Sequence, residues 1–227
     1  MRNRAISTCI RVLSCAAIGS AIAVAPAHSA AKPAPVPGPG GARVATLEGL
    51  FMPVGVTRRQ LSGEPCAYPN VCESVVYSNT GSKASYNDGV AKLDAWIRRT
   101  PGKKMVYGYS LGASVADAWL RKFNADPTTP PAADLSFLLG GNPDRAVTGT
   151  AIVNPSKNYG NGTGVGHPVD VKYPVTDVCK KWDSVCYLIR GDWRSSFLVH
   201  LSYGNAKLND PRNIVQVVGN TRYVLIP

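Results

Sequence analysis

Histidine is scarce in this chain: three residues in 227, at positions 28, 167 and 200. Acid is also in short supply, with 14 Asp and Glu against 25 Lys and Arg. The basic residues form no run longer than two and no nucleic-acid motif is present, so nucleic acid is not the expected partner. None of the cysteines falls at a zinc-ligand spacing with a histidine close by, so no metal site is expected. The glycines at 160, 162, 164 and 166 miss the dinucleotide-binding spacing and follow no obvious strand, so the run reads as a loop and no nucleotide cofactor is expected. Past residue 30 no stretch is long and apolar enough to span a membrane, and no internal repeat is visible.

What is there begins with an export signal. Arg2, Arg4 and Arg11 precede or flank an apolar stretch from Val12 to Val24, and small residues offer cleavage sites between Ala27 and Ala30, as in Ala25-Pro26-Ala27. Residues 1–30 read as a secretory signal peptide. An uncleaved anchor fits less well, because Ser14, Cys15 and Ser20 interrupt the apolar run. Residues 31–42, AKPAPVPGPGGA, are a Pro/Gly-rich tether. Residues 43–227 are left as one domain, enough to bury a sizeable core. The expected location is secreted or attached to the cell envelope, and the expected state is a monomer.

Loss of the three signal-peptide arginines lowers the formal charge from +11 to +8. An anionic envelope or lipid surface suits that balance in an exported protein, and plain solubility accounts for it most simply. Cys9 and Cys15 leave with the signal. Cys66, Cys72, Cys179 and Cys186 remain, an even number that in an exported chain reads as two disulfides with three possible pairings. The tight local pairs 66–72 and 179–186 are preferred.

The period of the apolar residues gives the order of elements. Strands are expected at Ala42–Glu48, Glu73–Tyr77, Lys104–Tyr107, Leu135–Leu139 and Asp170–Val178. Val90, Leu93 and Ile97 mark a helix over Asp88–Arg99, stopped by Pro101-Gly102. Leu111, Val115, Trp119 and Phe123 mark a second helix. IVQVV-GN-TRYVLI, from Ile214, reads as a β-hairpin. Strands alternating with helices imply a mainly parallel sheet covered on both faces.

At the seam of the third strand and second helix stands Gly108-Tyr-Ser110-Leu-Gly112, the G-x-S-x-G pattern of a nucleophile elbow. A glycine-rich turn alone would show the same residues, so the chemistry needs a base and an acid further along. His28 lies at the cleavage site. His167 sits in the glycine-rich loop, where a solvated surface histidine is the ordinary outcome. His200, in the apolar FLVHLSYG, is the better base. Asp170, Asp177, Asp183 and Asp192 are the candidate acids. Asp183 alone lies inside the Cys179–Cys186 loop, which would stabilise the fold by about 2.5 kcal/mol and pin the carboxylate; Asp177 is the runner-up.

Cys179-x3-Asp183-x2-Cys186 followed by His200-Leu201-Ser202-Tyr203-Gly204 resembles the acid loop and histidine segment of cutinases. SYNDGVAKLDAWI, PGKKMVYGYSLGA, LSFLLGGNPDR, YPVTDV and GNTRYVLIP extend a resemblance to the PE-PPE domain, a cutinase-like serine hydrolase domain of mycobacteria and their relatives. The resemblance implies an α/β-hydrolase three-layer sandwich with a mainly parallel central sheet and a C-terminal hairpin. It also implies Ser110 as nucleophile, Asp183 as acid, His200 as base, and carboxylic esters as substrates, with no cofactor. Two features depart from the family. The signal and tether stand where a PE or PPE module often precedes the domain, and Leu111 replaces the usual glutamine after the nucleophile. Leu111 still offers its backbone N–H to an oxyanion. The second donor is expected from the loop after the first strand, at Gly49, Leu50 or Phe51. Between acid and base, Trp193 and Phe197 are candidates for an apolar wall along the acyl chain, with packing of a short helix as the alternative. The expected activity is secreted ester hydrolysis on short- to medium-chain or lipid esters. Acyl transfer to an envelope glycolipid is the second reading, and a non-enzymatic surface-binding domain the third.

Overall fold

Among the described residues seven strands form one sheet. The computed structural model describes residues 40–154, 166–189 and 192–227. The expected signal peptide, most of the expected tether, and the run with glycines 160, 162 and 164 lie outside the described residues. The strands are β1 (Arg43–Leu47), β2 (Val71–Ser74), β3 (Lys104–Tyr109), β4 (Leu135–Gly140), β5 (Val175–Lys180), β6 (Ile214–Val218) and β7 (Thr221–Ile226). They lie in the order β2-β1-β3-β4-β5-β7-β6, and all pairs are parallel except β6 with β7, which form the hairpin. The helices are α1 (Lys83–Arg99), α2 (Leu111–Phe123), and the single turns α3 (Thr150–Val153) and α4 (Phe197–His200). This mainly parallel sheet with helical cover is an α/β-hydrolase fold.

Alternation along the strands sends side chains into two cores. Ala45, Leu47, Val106, Phe137 and Leu139 face α1 and α2, where Trp96 and Trp119 are fully buried. Val44, Tyr107, Tyr109, Leu138 and Val178 face the other way, against Leu61 and Tyr203. Both residues belong to short 3-10 turns, Leu61–Cys66 and Tyr203–Asn205. Among the described residues this face is covered by short turns, these two and α4, whose His200 stacks on Tyr109, rather than by long helices.

Two strands depart furthest from their expected limits, each for a backbone reason. β5 begins at Val175 because Pro174 has no N–H to give to a ladder; the residues before it pack instead, with Tyr173 buried among Trp119 and Phe137. β2 runs from Val71 to Ser74 because its ladder to β1 opens at Arg43↔Val71. Helix α1 starts five residues earlier than the apolar period indicates, where Ser82 caps it by accepting from the Ser85 N–H at 3.1 Å.

The chain leaves β1 for β2 across the 3-10 face. It then returns to β3, and goes on to β4, through α1 and α2 on the opposite face. The direction of winding thus reverses between β1 and β3. Crevices outside the carboxyl ends of strands at such a switch point are where α/β sheets bind ligands.

Candidate active site

Ser110 occupies that point, at the end of β3 and the start of α2. Its backbone is at φ 54°, ψ −117°, a strained conformation for a residue with a side chain. The flanking glycines have a direct steric cause. A Cβ on Gly108 would stand 2.3 Å from the Gly112 carbonyl oxygen, and one on Gly112 would stand 2.3 Å from that of Leu47. Strand, helix and the neighbouring β1 are packed backbone to backbone around the serine. The Ser110 N–H donates to Gly140 O at 2.8 Å, which ties the elbow to the end of β4.

The loop after β1 lies against the same serine. A Cβ on Gly49 would come 3.1 Å from Ser110 Cβ. Two residues whose roles local sequence patterns do not reveal hold this loop. Glu48 accepts from the N–H groups of Gly55 (2.7 Å) and Thr57 (2.8 Å) and from the Thr57 hydroxyl (2.7 Å). Asn79 donates to the carbonyls of Gly49 and Met52, each at 2.8 Å, and accepts from the Phe51 N–H at 2.9 Å. The Met52 N–H donates to Gly49 O. With the amides of Phe51 and Met52 engaged, Gly49 and Leu50 are the loop's candidates for donation to a ligand.

His200 ends α4, whose first turn is capped by Ser196 accepting from the Leu198 N–H at 3.1 Å. The imidazole is 2 % exposed. Its Nδ1 lies 2.9 Å and 3.1 Å from the two carboxylate oxygens of Asp183. Its ring stacks on Tyr109, with centroids 5.1 Å apart and planes 19° from parallel, and the Tyr109 hydroxyl donates to the His200 carbonyl. Tyr109 is the residue before Ser110, so the elbow carries the platform on which the histidine rests. Phe197 lies on another side of the imidazole, 5.3 Å away between centroids.

Asp183 is fully buried in a loop closed by the Cys179–Cys186 disulfide. Cys66 is likewise bonded to Cys72. A bridge to Ser196 also fastens the acid loop, with the Ser196 N–H donating to Trp182 O at 2.8 Å. The sulfurs of Cys179 and Cys186 and the Asp183 carboxylate lie within 4.8 Å of one another. Oxidation of the pair leaves no thiolate there to ligate a metal.

Asp177, the alternative acid, lies on the face of the sheet away from His200. Val178 points toward Tyr109 and Tyr203, so its neighbour Asp177 points toward α2. There Asn142 donates to both Asp117 (2.8 Å) and Asp177 (2.9 Å), and Arg145 pairs with Asp177. Burial pushes the Asp177 carboxyl up, against the pull of Arg145.

The expectation of a solvated His167 is corrected. Its side chain is fully buried, with Nδ1 2.6 Å from Asp117 and Nε2 3.0 Å from the Thr221 hydroxyl. Burial by itself would lower its affinity for a proton, but Asp117 outweighs that and holds the imidazole above the usual histidine range. The residue is drawn inward because its own N–H donates to Asp144 O at 2.7 Å, while Arg121 donates to the carbonyl of Gly166 beside it. No spacing in the sequence pairs residue 167 with residue 117.

Trp193 is 90 % exposed and Phe197 55 % exposed. The alternative of core packing therefore does not hold for Trp193. It borders a cavity of about 600 Å³ shared with Val153, Ser184, Leu188, Ile189 and Ser195, next to the acid loop.

A family model described as PE-PPE domain matches residues 63–187, more than half of the chain. The SL1278 acyltransferase Chp1 of Mycobacterium tuberculosis is 39 % identical over 61 residues; the match covers 27 % of this chain and 15 % of that protein's length. Among solved structures, a cutinase-like protein from Cryptococcus sp. aligns with TM-score 0.49 and 18 % identity, covering 74 % of this chain and 88 % of that one. An acetylxylan esterase aligns with TM-score 0.48 and 19 % identity, covering 72 % and 90 %.

Proposed function

We propose, on the premise that this chain belongs to the PE-PPE domain family, that it is an exported serine ester hydrolase acting through Ser110, His200 and Asp183. One observation carries this reading. Ser110 sits on a strained elbow at the switch point, and the residue before it supports an imidazole whose Nδ1 is hydrogen-bonded to a buried carboxylate.

In the proposed reaction His200 Nε2 takes the Ser110 hydroxyl proton as Oγ attacks the ester carbonyl. Asp183, accepting from Nδ1–H, fixes the tautomer and stabilises the imidazolium that forms. The tetrahedral oxyanion is held by the Leu111 N–H and by an amide of Gly49 or Leu50, each donor lowering the barrier by about 3 kcal/mol. The imidazolium returns its proton to the leaving alcohol, giving an acyl-enzyme that water then hydrolyses by the same route. This chemistry requires no cofactor.

Acyl transfer is the second reading, favoured by the match to a protein named as an acyltransferase. It differs only in the acceptor, a hydroxyl of an envelope glycolipid in place of water. Both readings take an ester or lipid substrate. The disulfides and the family suit an extracellular or envelope setting.

The test is labelling by a fluorophosphonate probe together with turnover of p-nitrophenyl esters, before and after Ser110→Ala. Loss of both in a folded variant supports the reading; turnover retained by the variant refutes it. Product analysis with and without a sugar-lipid acceptor separates hydrolysis from transfer.

A further inference from the structure

We infer that Tyr203 is a positioning residue for Asp183, its hydroxyl compelled by its surroundings to give its single proton to the carboxylate. The inference rests on the reading of Ser110, His200 and Asp183 proposed above, and adds to it a fourth side chain. The Lys180 N–H, at the end of β5, donates to the Tyr203 oxygen at 2.8 Å. With that acceptor site filled by a backbone donor, the phenolic proton is directed to Asp183 Oδ2, 2.7 Å away. Cys186 Sγ is also near, 3.2 Å from the Tyr203 oxygen and 3.1 Å from Oδ2. As a disulfide sulfur it has no proton to offer in competition.

Asp183 thereby has one fixed donor on each oxygen: the Val185 N–H on Oδ1 at 2.7 Å and the Tyr203 hydroxyl on Oδ2. The plane of the carboxylate is set before His200 approaches, and the remaining lone pairs converge on Nδ1. Tyr203 is itself immobilised. Its ring is fully buried and stands edge-on to Tyr109, with centroids 5.3 Å apart. Burial, reinforced by the charge of Asp183, keeps the phenol neutral. The residue lies three positions after His200, so one side chain couples the acid loop, the end of β5 and the histidine segment.

A donor on a carboxylate draws off part of its charge and weakens its hold on the imidazole proton. Replacing Tyr203 by Phe keeps the ring and removes that donor. Expected for Tyr203→Phe are a fall in kcat of about ten- to a hundredfold and a KM within about twofold of the original. The acid limb of kcat/KM should move up by about half a pH unit, and the downfield proton resonance of the His200–Asp183 hydrogen bond should shift. Tyr173→Phe removes a buried hydroxyl in the other core and serves as the control for simple loss of stability; it should leave the limb unmoved. Incorporation of 3-fluorotyrosine at 203 makes a stronger donor without changing the packing, so the limb should move down. It also carries the test if the Phe variant does not fold. An acid limb unmoved by either replacement, with kcat no lower than in the Tyr173→Phe control, overturns the inference. Ser110→Ala is assayed alongside. If it is inactive while the Tyr203 variants match the control, only the role of Tyr203 falls; if it remains active, the triad and Tyr203 fall together.

Discussion

Gly141 and His200 stand in contact: a Cβ on the glycine would lie 2.7 Å from Cε1 and 3.0 Å from Nδ1 of the imidazole. The glycine cannot easily retreat, because its N–H donates to Val178 O at 2.9 Å and its φ of +56° is one that favours glycine. Gly141→Ala should therefore displace the ring and lower kcat by about a hundredfold, with a smaller effect on Tm. Ester kinetics alongside thermal unfolding check this. Activity within a few-fold of the original would show that the ring has room to move.

His167 and Asp177 both hold protons more tightly in the folded protein than their ordinary ranges imply. Folding then takes up protons as the pH rises past the unfolded values. The stability these two groups contribute is fully present below those values and is lost as the pH rises through the folded ones. Thermal unfolding between pH 5 and 9 should show Tm falling on the alkaline side. His167→Ala should unfold more readily, by about 3–5 kcal/mol, because it leaves Asp117 buried beside a gap. Its kcat, measured where it is folded, should be little changed. A large loss of kcat with unchanged Tm would instead give His167 a part in the chemistry.

Cys179→Ser with Cys186→Ser should lower Tm by about 5–10 °C. Activity should fall more than stability does, since the loop they close carries Asp183. The comparison is kcat at a temperature where both proteins are fully folded. Equal kcat there would mean that the bridge to Ser196 and the hydroxyl of Tyr203 suffice to hold the acid.

Trp193→Ala should leave Tm unchanged, because the indole is almost wholly in solvent. If the indole lines the path of the acyl chain, turnover of octanoate esters falls while that of acetate esters does not. Each methylene losing its contact there contributes up to about 0.8 kcal/mol. A chain-length profile of kcat/KM decides it, and a uniform loss across all lengths would place the wall elsewhere.

Several features could be read from the sequence because their causes are local. The period Leu111, Val115, Trp119, Phe123 and the Gly219-Asn220 hairpin turn depend on residues a few positions apart. The glycines about Ser110 announce a backbone without room for a side chain, although the carbonyl that crowds Gly112 belongs to Leu47, on another strand. The disulfide pairings and the placing of Asp183 inside a seven-residue separation were likewise short-range matters.

The tertiary structure decided which side chains meet across the sheet. Asp177 and Val178 are neighbours, yet alternation sends one to the α2 side and the other to the His200 side. Sequence order alone could not choose between Asp177 and Asp183. His167 reads as a loop histidine until packing sets it against Asp117, fifty residues away. Tyr109 and Tyr203 are buried in the core, and only strand register and the 3-10 turn bring their hydroxyls to His200 and Asp183. Periodicity reports which face of an element is buried. Which partner it meets there is set by the order and register of strands, a property of contacts far apart in the chain.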